Sequence, residues 1–106
     1  MTWDAAEEQC KAQGGHLASV HSAEENVFVR SLFTGNAWIG GSDVEVEGNW
    51  VWTDGTEWDF EDWINGEPTG GPEHFLELRS RDPGNKHWND KKGSFALQFV
   101  CKIGAF

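Results

Sequence analysis

The chain has two cysteines, Cys10 near one end and Cys101 near the other. Their spacing fits neither a zinc-finger pattern nor a Cys-x-x-Cys redox pair, so a Cys10–Cys101 disulfide is predicted, with two buried free thiols as the other reading. Closing so long a loop stabilises a fold by roughly 4 to 5 kcal/mol on chain-entropy grounds and implies an oxidising compartment. Any fold the chain adopts must then bring its first and last elements into one core. At 106 residues it supports one domain, 1–106.

Helices come first and strands later. Thr2 caps a helix through about Gln13 that carries Trp3, Ala6 and Cys10 on one face and ends at Gly14-Gly15. Ser22-Ala23-Glu24-Glu25 is a capping box for a second helix, with Val27, Phe28, Leu32 and Phe33 as its apolar face and a stop before Gly35-Asn36. Short strands are expected at 37–40, 49–53, 75–79, 86–89 and 95–102. The last alternates Phe95, Leu97, Phe99 and Cys101 toward the core. The fold class is α+β, with short antiparallel strands and a long loop over 53–75 that is rich in Gly, Asp, Glu and Pro.

The formal charge is −10, and Asp43 to Glu77 holds eleven carboxylates while no Lys or Arg lies between Arg30 and Arg79. That excludes nucleic acid as a partner and favours cations. No run of about 18 apolar residues is present to span a membrane, and no signal peptide is seen, so the chain reads as a mature secreted domain with Met1 left from expression.

Within the long loop and beyond it, Glu67-Pro68-Thr69, Glu73 and Asn89-Asp90 offer the oxygen donors a hard cation such as Ca2+ prefers. On spacing alone these acids could equally be a solvated loop. Glu67 and Glu73 could also serve as a glycan-hydrolysing pair. The absence of an activated Ser or Cys and the small enclosing volume make an enzyme the poorer expectation.

Seven ordered motifs add a family resemblance: Trp3-x-x-Ala6-x-x-x-Cys10, Gly14-Gly15-His16-Leu17-Ala18-Ser19-Val20, Trp38-Ile39-Gly40-Gly41, Glu47-Gly48-x-Trp50-x-Trp52-Thr53-Asp54-Gly55, Gly66-Glu67-Pro68, Trp88-Asn89-Asp90 and Phe99-Val100-Cys101. In these the whole chain resembles the C-type lectin-like domains. The resemblance implies a Ca2+ held by Glu67, Thr69, Glu73, Asn89 and Asp90, a cis Pro68, and a sugar bound through two hydroxyls by Glu67, Thr69, Glu73 and Asn89. Thr69 stands where the family has Asn, and Glu67 resembles the mannose, glucose or fucose class.

Three departures qualify that picture. The family's second calcium site retains Asp43 and Glu47, but Gly70 and His74 replace acids, so Asp43 and Glu47 are expected to be a solvated loop. The family's other disulfide is replaced by Phe75 and Gly93, which implies a long loop that leans on bound metal for order. His74 and His87 lie near the site in sequence and would favour Zn2+ if they reached it. His16 and His21 are expected to be structural or exposed. Trp38, Trp50, Trp52 and Trp88 match core positions, and Trp58 and Trp63 are expected to pack the loop rather than stack on sugar.

The expected function is metal-dependent binding of mannose- or glucose-type glycans on cell-surface or microbial polysaccharide, in innate immune recognition. Single sites would bind at about millimolar strength, so clustering in a homo-oligomer is expected. The alternative is a metal-independent module for a protein or other nonsugar ligand.

Overall fold

In the computed structural model, which describes residues 1–81 and 86–103, Thr2 is extended and its hydroxyl accepts the Ala5 amide. That cap starts helix α1, Trp3–Ala12, which buries Trp3, Ala6 and Cys10 as predicted. Helix α2, Ala23–Arg30, is shorter than expected and ends at Ser31. Its Ser22 hydroxyl accepts the Glu25 amide, while the Glu25 carboxylate takes the amide of His21, one residue before the cap.

The buried face of α2 also differs from the predicted one. Val29 and Asn26 point inward, whereas Val27, Phe28 and Leu32 are exposed. The reason is polar. Asn26 donates to Asp62 Oδ2 at 2.8 Å and accepts from Trp88 Nε1 at 3.0 Å, so the helix turns an amide rather than a ring toward the core.

Among the described residues there are seven strands: β1 Gly15–Leu17, which lies between the two helices, then β2 Asn36–Ser42, β3 Val51–Trp52, β4 Phe75–Arg79, β5 Trp88–Lys91, β6 Gln98–Phe99 and β7 Cys101–Ile103. The larger sheet runs β3-β2-β4-β5, all antiparallel, with β6 pairing parallel to β2. β1 pairs separately with β7. The single strand predicted at 95–102 is thus two. At Val100 the chain leaves one sheet for the other, its amide bonding Trp38 and its carbonyl accepting from Ala18. Phe95 falls outside the alternation and lies half-exposed beneath the Lys91 ammonium.

β2 is buried from Ala37 onward and separates two apolar clusters. Trp38 packs with Trp3, Ala6, Cys10 and Leu17, and Ile39 packs with Trp52, Leu76, Leu78 and Trp88. The Cys10–Cys101 disulfide joins α1 to β7 inside the first cluster, with the two Cα atoms 5.5 Å apart. Phe75 and Gly93 face one another: a Cβ placed on Gly93 would come within 2.7 Å of the Phe75 ring. The ring also packs on Trp3, with centroids 4.5 Å apart. Where the family pattern has a second disulfide, this chain has an aromatic ring laid over a glycine.

With one covalent staple, the fold should depend on it heavily. The double change Cys10→Ser and Cys101→Ser should lower unfolding free energy by about 4 kcal/mol, read from urea denaturation against the oxidised protein. A loss below about 1 kcal/mol would show that the loop closure contributes little.

Candidate metal centre

The long loop reaches the site through a buried polar node. Asp62 Oδ2 accepts from Asn26 on α2 and lies 2.8 Å from His87 Nδ1, while the Asp62 carbonyl takes the amides of His87 and Trp88. Ile64 then donates to the Trp88 carbonyl and Glu67 to that of Ile64, which delivers Glu67 to the end of β5. Trp58 and Trp63 fill the space beneath the loop, with Trp58 4.4 Å from Trp52 and Trp63 4.8 Å from Trp50 between ring centroids. The loop is therefore anchored by aromatic and polar contacts to α2, β3 and β5.

Beyond Glu67 the Glu67–Pro68 peptide is cis, and the chain folds back over Asp90. Asp90 is fully buried and accepts the Gly70 amide on Oδ2 at 2.8 Å. The Thr69 hydroxyl lies 2.9 Å from Glu73 Oε1 and 3.3 Å from Asp90 Oδ1, so its one proton is shared between two carboxylates. The Thr69 amide holds Glu67 Oε1 at 3.1 Å. Glu67, Glu73 and Asp90 each bring a carboxylate oxygen within 4.8 Å of the others.

Three carboxylates so close repel one another. Burial, and then the hydrogen bond with Asp90 and its charge, push the Glu67 carboxyl above its usual value of 4.5, against the opposing pull of the Thr69 hydrogen bonds. A cation placed among them would remove that penalty, and the all-oxygen donor set suits calcium.

Asn89, the other predicted ligand, is engaged differently. Strand alternation sends it to the side of β5 opposite Asp90. There its amide nitrogen donates to Glu77 Oε1 at 3.0 Å, leaving the amide oxygen as the atom it can offer a cation. Glu77 is fully buried between Asn89, Arg79 and Lys91, with Lys91 Nζ 3.7 Å from Oε2. Glu77 is not among the ligands predicted from the sequence, although an acid between two leucines in an apolar strand is a visible signal.

The histidines do not join this cluster as expected for a zinc alternative. His87 is buried against Asp62 and serves the loop anchor. His74 Nδ1 lies 3.0 Å from Asp43 Oδ1 and 3.4 Å from Glu47 Oε1, in a second group. Asp43 is not solvated as predicted: its side chain is 1% exposed, and Gly48 donates to its Oδ2. His16 and His21 pair with Glu7 and Asp59, each at 2.7 Å.

A profile of the lectin C-type domain matches residues 1–103. The chain belongs to the C-type lectin domain family. It is 50% identical over 68 residues to a type-2 ice-structuring protein of Brachyopsis segaliensis, covering 64% of this chain and 40% of that protein. It is 40% identical over 114 aligned positions to the alpha-N-acetylgalactosamine-specific lectin of Patiria pectinifera, covering 96% of this chain and 68% of that one. The match to the first relative therefore spans less than half of that protein's length. Among solved structures, a calcium-independent type II antifreeze protein superposes with a TM-score of 0.89 at 37% identity, over 95% of this chain and 77% of that chain. The α+β C-type lectin-like fold expected from the motifs is thus established, and lectins and antifreeze proteins both stand among this domain's relatives.

The raised Glu67 carboxyl gives a signed prediction. A group whose value is higher in the fold than in the unfolded chain adds stability below about pH 4.5 and loses that contribution as pH rises through the folded value. In chelator, Glu67→Gln should therefore gain stability relative to wild type as pH increases from 4 to 7, read from thermal midpoints. A constant difference across that range would mean that the fold does not raise the Glu67 carboxyl.

Proposed function

We propose that this domain binds glycans through a calcium ion held by Glu67, Glu73 and Asp90, and that it recognises mannose- or glucose-type sugars. What carries this reading is the convergence of three carboxylates on one point at the tip of the long loop. A bound calcium would offer coordination positions to two neighbouring sugar hydroxyls. The chain's own groups fit the remaining chemistry. Carboxylates of Glu67 and Glu73 accept hydrogen bonds from those hydroxyls. Thr69, whose hydroxyl bridges Glu73 and Asp90, orders these acids and is the residue at which affinity can be tuned.

On this reading the protein is secreted, acts on cell-surface or microbial polysaccharide in innate recognition, gains avidity by self-association and catalyses no reaction. The disulfide supports an oxidising compartment, and no helix among the described residues is long and apolar enough to cross a membrane.

A second reading rests on a specific observation. The Thr69 hydroxyl and the Gly70 amide already donate to Asp90, so the loop has a hydrogen-bonded arrangement without a cation. That favours a metal-independent module for a nonsugar surface, and the names of the relatives suggest ice as such a surface.

Binding to mannose-coated resin separates the two. Glu67→Gln should abolish calcium-dependent retention while the domain stays folded, and Thr69→Asn should strengthen it. Retention of wild type in excess chelator, or unchanged retention in Glu67→Gln, would contradict the calcium reading. Ice-growth inhibition in chelator would establish the second.

A further inference from the structure

Helix α2 buries Asn26 and Val29 and leaves its larger apolar residues in solvent: Val27 and Phe28, with Leu32 just beyond the helix end, are each more than half exposed. Beside them, between α2 and the start of β7, lies a notch of about 140 Å³. Ala18, Val29, Leu32 and Val100 wall it, and Phe28, 63% exposed, borders it from the helix. Its polar edge is Glu25 and Lys102, whose carboxylate and ammonium are 2.9 Å apart, with the ammonium also 3.2 Å from the buried Ser19 hydroxyl.

Shape and charge together select the occupant. An apolar cavity of about 150 Å³ is the size that takes up a benzene ring, so the notch suits one phenyl side chain, and the exposed Phe28 beside it is such a side chain. A patch that carries both the hollow and the ring to fill it is self-complementary, as a two-fold pairing of identical chains requires. The chain has a formal charge of −10, with eleven carboxylates from Asp43 to Glu77, so two copies repel in most orientations. Within this patch Glu25 and Lys102 neutralise one another, and copies that meet here bring no unpaired charge of the patch into contact. An anionic membrane or a nucleic acid would find Lys102 already engaged.

We propose that this face of α2 binds a second copy of the chain, the Phe28 ring of each copy entering the notch of the other. Its use for avidity rests on the glycan-binding reading, but the pairing itself needs neither calcium nor sugar. The strength expected follows from area. Three partly exposed apolar side chains bury well under the roughly 800 Å² per partner of a standard interface, which places the pair among weak, transient contacts. Such a contact is sufficient where repeated glycans hold domains side by side, because effective concentrations there reach about millimolar.

The test is sedimentation equilibrium of the intact domain in EDTA, from about 10 μM to about 1 mM, the range in which a weak pair forms. The average mass should climb from that of one chain toward that of two. Phe28→Ser and Leu32→Ser should each weaken the association at least about tenfold, as loss of an anchor does, while the exposed position of both residues leaves the monomer folded. Val44→Ser, at a comparably exposed position outside the patch, should associate as wild type does. A domain that stays monomeric at the highest concentration, or whose association Phe28→Ser leaves unchanged or Val44→Ser reduces as much, would overturn the proposal. Binding of a monomeric domain to phosphatidylcholine vesicles, lost in Phe28→Ser, would give the patch a lipid occupant and overturn it equally. Because calcium and sugar are absent, failure to pair leaves calcium-dependent retention on mannose resin untouched, and failure of that retention leaves the pairing untouched.

Discussion

A fully buried carboxylate organises the functional end of this domain. Asp90 is on the core-facing side of β5 with Trp88, and an ionised group there costs several kcal/mol unless partners replace its water. Its partners come from the long loop: the Gly70 amide and the Thr69 hydroxyl. Satisfying Asp90 therefore closes the loop, and closing the loop brings Glu67 and Glu73 to the same point. Burial, and then the hydrogen bond with Asp90 and its charge, raise the Glu67 carboxyl, a penalty that a cation placed in the group would relieve.

The rest of the fold serves that closure at a distance. Asn26 on α2, Asp62 in the loop and Trp88 on β5 share one buried polar network, so helix, loop and strand are fixed together. The layer of tryptophans beneath it supplies large apolar area where a short chain has few aliphatic residues to spend. The disulfide closes the opposite side, where α1 meets β7. Phe75 over Gly93 fills the space between these regions by packing alone.

Much of this was legible in the sequence because it depends on local rules or ordered motifs. Thr2 and Ser22 cap the helices they were expected to cap, and the two cysteines pair. Glu67, Thr69, Glu73 and Asp90 meet as the family pattern implied. What was not legible depends on long-range pairing. The core-facing position of Asn26 follows from partners 36 and 62 residues away, which no helical periodicity encodes. The break at Val100 follows from competition between two sheets for one strand. His74 was read with its sequence neighbour Glu73, but consecutive residues entering β4 point to different groups, and only the Asp43–His74 backbone contact shows which.

The most direct test of the central claim is thermal unfolding of the purified domain in EDTA, then in calcium, then in calcium with mannose. A ligand that binds only the native state raises the midpoint by mass action. The account predicts a rise with calcium and a further rise with mannose that disappears when calcium is withheld. An unchanged midpoint on adding calcium would contradict it, leaving a C-type lectin fold whose acidic loop tip is closed by Thr69 and Gly70 alone.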